Sequence, residues 1–169
     1  MTFYYDLRPG AAQYPATNYA RLLRNQSTNV AEWLAYDPST AKDAYWELEA
    51  FAYPVSAPDI TVRVVWGAAT ATTGVVRWSA QLAAITPETD SQDAETKTYA
   101  TAVTVDDTHL GTTAKRLMAA TITITGASLD SVTGSDEVWL KLTRVADHAN
   151  DTLLGDAWLK SVGVSYPTT

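Results

Sequence analysis

Apolar and polar residues alternate one for one along several stretches of this chain. Thr121-Ile122-Thr123-Ile124-Thr125 and Thr101-Ala102-Val103-Thr104-Val105 are two such stretches. In Ile60-Thr61-Val62-Arg63-Val64-Val65-Trp66 the alternation puts Ile60, Val62, Val64 and Trp66 on one side. A period of two builds a pleated strand with one buried face; on a helix of 3.6 residues per turn the same apolar groups would scatter. Ala and Thr supply 27 and 25 of the 169 residues. Ala is common in helices, so Thr decides: it is β-branched, stiff at χ1 and favoured on half-buried sheet surfaces. Six Trp and nine Tyr point the same way, because such rings pack well across strands and between sheets.

Along the chain, Arg21 to Asn25 and Val30 to Tyr36 read as a pair of short strands, closed by a turn at Asp37-Pro38-Ser39-Thr40. Ala44 to Tyr53 alternates Tyr45, Glu47, Glu49 and Phe51 against Trp46, Leu48 and Ala50. Further strands are predicted over 60–66, 75–82, 99–105, 117–124, 137–144 and 157–166. The stretch TPETDSQDAETK, 86–97, is a polar loop, and 106–116 is a second long connection. Only 127–132 and 147–153 have room for a helical turn. About eight or nine short strands in one chain imply a sandwich or barrel. The long connections favour an all-β sandwich of jelly-roll type over a tight meander. Residues 21–169 form that domain, and residues 1–20 an extended N-terminal arm.

Composition excludes whole classes of function. There is no Cys, hence no disulfide framework, thiolate metal site or Cys nucleophile. Twelve Lys and Arg stand against 19 Asp and Glu, a formal charge of −7. Such a balance argues against a surface built to neutralise phosphates, so nucleic acid is not an expected partner. No apolar run reaches the roughly 18 residues of a membrane helix. MTFYYDLRPG lacks the basic and apolar regions of a secretory signal, so none is expected.

Little in the sequence suggests catalysis. The two histidines, His109 and His148, fall in stretches that read as polar loops. Glu47 and Glu49 share one side of a strand about 7 Å apart, roughly a retaining-glycosidase spacing. Acids at i and i+2 more often decorate a solvent face. No metalloprotease helix or phosphate-binding loop motif occurs, and the expectation is a non-enzyme without a cofactor. Asp147, Asp151 and Asp156 could gather calcium oxygens, but the loop lacks the EF-hand order. The simpler reading is a structural lock in which Arg144 pairs with Asp151 or Asp156. Trp46, Trp66 and Trp78 are in phase with apolar neighbours and belong to the core. The faces of Trp139 and Trp158 stay open, and exposed rings could instead form a sugar platform.

Several segments together carry a resemblance: Tyr14 to Ala20, Leu23 to Asn25, Val64 to Gly74, Leu140 to Asp147 and Asn150 to Ala157. In this order the chain resembles a family of tailed-phage virion structural proteins with a single jelly-roll domain, over nearly its full length. The resemblance implies a capsid decoration protein on the virion, assembled in the host cytoplasm, with the major capsid protein or another virion protein as partner. A homotrimer follows from the resemblance and from Thr-rich strand faces that one small domain leaves uncovered. The arm bears Phe3, Tyr4, Tyr5, Tyr14 and Tyr19 beside Pro9 and Pro15. Rings in an extended segment want a surface, either a neighbour's or the domain's own. The alternative reading is a carbohydrate-binding or host-receptor-binding jelly-roll module of a tail fibre or collar.

Overall fold

The chain folds as two antiparallel sheets packed face to face, seen in a computed structural model that describes residues 2–26, 28–48, 54 and 56–167, the side chains of 25 and 26 excepted. The larger sheet contains β1 (Thr2–Leu7), β2 (Arg21–Gln26), β3 (Val30–Tyr36), β5 (Ile60–Ala68), β8 (Met118–Ile124) and β10 (Ala157–Pro167). The smaller sheet runs β4 (Lys42–Leu48), β9 (Glu137–Arg144), β6 (Thr73–Ile85), β7 (Val103–Leu110). The only helical turns among the described residues are 3₁₀ turns at Pro9–Ala11 and Gly126–Leu129. This is the all-β jelly-roll sandwich that the alternation predicts.

The core is made by the inward half of each alternating strand. Ile60, Val62, Val64 and Trp66 of β5 are fully buried and face Val76, Trp78, Ala80 and Leu82 of β6. Trp46 and Leu48 of β4 and Val138, Leu140 and Leu142 of β9 complete the smaller sheet's inner face. Trp78 sits edge-on to Tyr36 at 5.1 Å and to Trp66 at 6.0 Å, so three large rings join the layers. Edge-to-face contact suits the ring quadrupole and adds about 0.5–1.5 kcal/mol per pair beyond area burial.

Two stretches depart from expectation. The predicted strand over 99–105 begins four residues later and runs on through Leu110. The Ala100 N–H donates to the Leu82 carbonyl and the Ala100 carbonyl accepts from Gln81 Nε2, which lays 99–102 across β6 instead of along a ladder. His109 is not in a solvated loop: it is fully buried in β7, in phase with Val103, Val105 and Asp107. Its Nδ1 lies 2.8 Å from the Thr72 carbonyl. Asp107 occupies an inward position because it accepts the indole N–H of Trp66 at 2.7 Å. Glu49 and Phe51 lie outside the described residues.

Residues 2–20 lie on their own sandwich, a strand followed by the 3₁₀ turn at Pro9–Ala11 and an irregular crossing. β1 pairs antiparallel with β10, from Thr2↔Pro167 to Leu7↔Val162. Gly163 permits this: a Cβ there would collide with the Tyr4 ring lying over it. Trp46 Nε1 donates to the Arg8 carbonyl at 3.0 Å and fixes the next turn. The chain then crosses to the other sheet. Gln13 exchanges both backbone hydrogen bonds with Tyr45, and Asn18 and Ala20 bond Asp43. The free edge of β4 is thereby covered, the usual remedy for an exposed ladder.

Arg144, at the end of β9, is fully buried. Its guanidinium donates to both carboxylate oxygens of Asp151, at 3.0 and 2.7 Å. It also donates to the carbonyls of Tyr36, Gly155 and Leu153, at 3.1, 2.8 and 2.7 Å respectively. All five N–H donors of an arginine are so used. Asp151 Oδ2 also accepts the Arg77 N–H at 3.0 Å. Gly74 lets the loop lie close, since a Cβ there would stand 2.7 Å from the Leu153 Cα. Removing one partner of a buried, hydrogen-bonded ion pair costs about 3–5 kcal/mol, because the other charge is stranded. Arg144→Ala should therefore lower stability by about that amount in urea unfolding, and Arg144→Ala with Asp151→Asn by less than the sum of the single variants. Additive losses would mean that the two side chains act independently.

Candidate functional site

The outward half of the same alternation builds a cleft on the smaller sheet. On β4, Ala44, Trp46 and Leu48 point inward, so Asp43, Tyr45 and Glu47 point out. On β9, Val138, Leu140 and Leu142 point inward, so Trp139, Lys141 and Thr143 point out. Register then sets the rows: Tyr45 lies beside Lys141 and Gln81, and Glu47 beside Trp139 and Ala83. Ala83 has only a methyl group to fill its place, which leaves depth next to the Trp139 ring.

Two loops raise the walls. Gln13, Tyr14 and Pro15 form one, in the stretch that stands off β4 between the bonds at Gln13 and Asn18. Ala94, Glu95, Lys97 and Tyr99 form the other. The enclosed space is about 330 Å³, at the lower end of the about 300–1,000 Å³ usual for small-molecule sites. The Tyr45 and Tyr99 rings meet at 5.7 Å, tilted by 57°. Lys97 is fastened to Asp130 at 3.0 Å, and Asp130 also accepts the Ala84 N–H, so that wall is tied to β6.

The polar groups divide into two sets. Asp43 is fully engaged: it accepts from Thr143 Oγ1 at 2.6 Å and Tyr45 OH at 3.3 Å, and pairs with Lys141 at 3.4 Å. By contrast, the Tyr14 and Tyr99 hydroxyls, the Trp139 indole N–H, the Gln13 amide and the Glu95 carboxylate have no hydrogen-bond partner among the described residues. Aromatic faces beside unengaged donors and acceptors are the ingredients for a ligand with both an apolar face and a polar rim.

Burial, then the charge of Asp43 and its hydrogen bond, push the Tyr45 phenol up to about 12. Burial, then Tyr45 and Asp43, push Tyr99 higher still. Burial and Glu32 raise Tyr14. All three are neutral donors at physiological pH.

Of the residues expected to form an interaction arm, only Tyr14 lines this cleft. Tyr19 packs on Tyr14 at 5.9 Å and lines a smaller hollow of about 270 Å³ with Arg21, Asp37, Lys42 and Asp156. Phe3 stacks on Tyr166 at 5.7 Å and 6°, and lies 6.1 Å from Tyr5, whose side chain packs against the core. Tyr4, 59% exposed, lies over Gly163 on the opposite sheet. Of the loop acids, Asp151 holds Arg144, Asp147 is exposed and Asp156 faces the hollow. No group of three or more metal-ligating side chains occurs among the described residues. Trp158 is on the outer face of the larger sheet, 6.0 Å from Trp33, with Lys115 over its ring at 4.8 Å.

No family model matches the chain, and no curated protein matches its sequence. The fold is nevertheless shared with solved structures. A family 35 carbohydrate-binding module from an environmental isolate superposes with a TM-score of 0.54 and 14% identity, covering 98% of both chains. The CBM22-1 xylan-binding domain of Paenibacillus barcinonensis Xyn10C gives 0.55 at 6% identity, over 98% of this chain and 94% of that one. The CBM36-1 domain of a multidomain xylanase from the hindgut metagenome of Trinervitermes trinervoides gives 0.51 at 7%, over 99% and 100%. At such identities the likeness is one of fold. These neighbours are carbohydrate-binding modules and not virion proteins.

The tyrosines give a pH signature. Their folded-state values lie above the ordinary value of 10, so the folded protein holds more protons than the unfolded chain in the alkaline range. Their contribution to stability is intact below pH 10 and falls as pH rises through about 12. In tyrosinate absorbance titration, Tyr45→Phe with Tyr99→Phe should take absorbance out of the late-ionising limb, which they share with the fully buried Tyr36, and flatten the alkaline loss of melting temperature. Absorbance lost only from the limb near pH 10 would mean that both rings are open to water.

Proposed function

We propose that this chain is a non-catalytic carbohydrate-binding module that holds a glycan in the Tyr45–Tyr99–Trp139 cleft. One observation carries the proposal: rings from β4, β9, the 86–102 connection and the 13–15 wall converge on one hollow in which the polar groups of Tyr14, Tyr99, Trp139, Gln13 and Glu95 have no side-chain partner among the described residues. A pyranose presents a flat C–H face and a rim of hydroxyls. The face packs on an indole or phenol ring, and the rim pairs with neutral donors and with carboxylate acceptors. The shared fold of the carbohydrate-binding modules agrees with this reading, which leaves no reacting group to assign.

The virion role implied by the sequence resemblance concerns where such a module is carried. The cleft lends no support to capsid decoration. It suits the receptor-binding form of that idea, in which a virion-borne module addresses a host-surface glycan.

Affinity electrophoresis and calorimetry on a panel of soluble polysaccharides test the proposal. The wild type should be retarded by at least one glycan. Trp139→Ala and Tyr99→Ala should each weaken that binding about 10-fold or more, as expected when an aromatic anchor is truncated. Melting temperature should fall little, because neither ring belongs to the core cluster. Binding that survives both substitutions would place the site elsewhere.

A further inference from the structure

The charges around the cleft select among glycans. Resting on the reading of the cleft as a glycan site, we infer that its ligand is an uncharged glycan and that uronic-acid chains are disfavoured by the cleft itself.

Two ammonium groups stand near the rings, and both are taken. Lys97 Nζ is 3.0 Å from Asp130, with side chains only 11% and 20% exposed. Lys141 Nζ is 3.4 Å from Asp43, with side chains 24% and 20% exposed. Two further carboxylates have no cation. Glu95 lines the cleft, and Glu47 is exposed beside Trp139 in the β4–β9 register. Neither forms an ion pair or side-chain hydrogen bond among the described residues. Four carboxylates therefore face two ammonium groups. The tyrosines add no compensating charge, and no Arg lines the hollow.

A sugar carboxylate is ordinarily recognised by a fork of Arg donors or a free Lys. Here it would meet Glu95 and Glu47 without a counter-ion. Like charges so placed are a repulsive element that discriminates against one partner without weakening the other. For a neutral sugar the same Glu95 is an asset. Its free carboxylate accepts a hydroxyl proton in a charge-assisted hydrogen bond. Glu95 is thus both an acceptor for hydroxyls and the barrier to carboxylates.

The test uses the full chain and two sets of hexasaccharides. The neutral set contains β-1,4-linked glucose, xylose, mannose and galactose oligomers. The acidic set contains galacturonate and mannuronate oligomers. Each is titrated at low and at physiological salt. The wild type should bind at least one neutral hexamer with little salt dependence, and the acidic hexamers about 10-fold or more weakly, the gap narrowing as salt rises. Glu95→Lys should shrink the gap by raising acidic binding, and Glu95→Gln should leave it intermediate. An acidic hexamer bound as tightly as any neutral one, and lost in Trp139→Ala, would overturn this inference while leaving the cleft reading intact. A neutral-to-acidic ratio unmoved by Glu95→Lys would also overturn it. Binding of no hexamer from either set would overturn the cleft reading itself.

Discussion

A single buried guanidinium ties the two layers of this sandwich together. Arg144 belongs to β9 in the smaller sheet, Tyr36 ends β3 in the larger, and Leu153 and Gly155 lead into β10, again in the larger. Desolvating a charge is expensive, and a buried pair stabilises only if each donor and acceptor finds a partner. Here the donors are exhausted, and Asp151 is shared with the backbone of β6 through the Arg77 N–H. The arrangement has one geometry in which all of these bonds close. It therefore fixes how the layers meet, in a way that interchangeable apolar contacts do not.

The cleft inherits that precision because its floor is β9 and its neighbours. Trp139 and Arg144 lie on the same strand, and each residue from Val138 to Arg144 has a register partner in both β4 and β6. The walls are less constrained. The 13–15 segment is held by the Gln13–Tyr45 exchange, and the opposite wall by the Lys97–Asp130 pair and the bonds of Ala100. A rigid sheet floor with tethered loop walls keeps the rings in place before any ligand arrives, which reduces the ordering cost of binding.

Much of this was legible in the residues alone. Strands such as Ile60–Ala68 and Glu137–Arg144 announce themselves because apolar residues recur at every second position, Ile60, Val62, Val64 and Trp66 in one and Val138, Leu140 and Leu142 in the other. β7 starts and ends later than the pattern suggests because its inward positions include Asp107 and His109, polar groups that face inward only because Trp66 and Thr72 meet them there. Partners so far apart in sequence leave no local trace. The cleft was half legible for the same reason. Alternation marks Tyr45 and Trp139 as outward residues on their own strands. That β4 and β9 are adjacent, though some ninety residues apart in sequence, is a fact of topology. The rings of residues 1–20 call for a surface, a neighbour's or the domain's own, and what local pattern does not reveal is that β10 offers an unpaired edge to β1.

Pairing of β1 with the far end of β10 has a geometric consequence. Thr2 stands opposite Pro167, so the described chain enters and leaves on adjacent strands at one point of the larger sheet. Chain ends that close can be joined by a short linker, and the fold then has a cyclic connectivity that could be opened at any exposed loop. The ends also belong to the sheet opposite the aromatic cleft. A polypeptide joined there would hold the sandwich like a handle, with the ring-lined face turned outward.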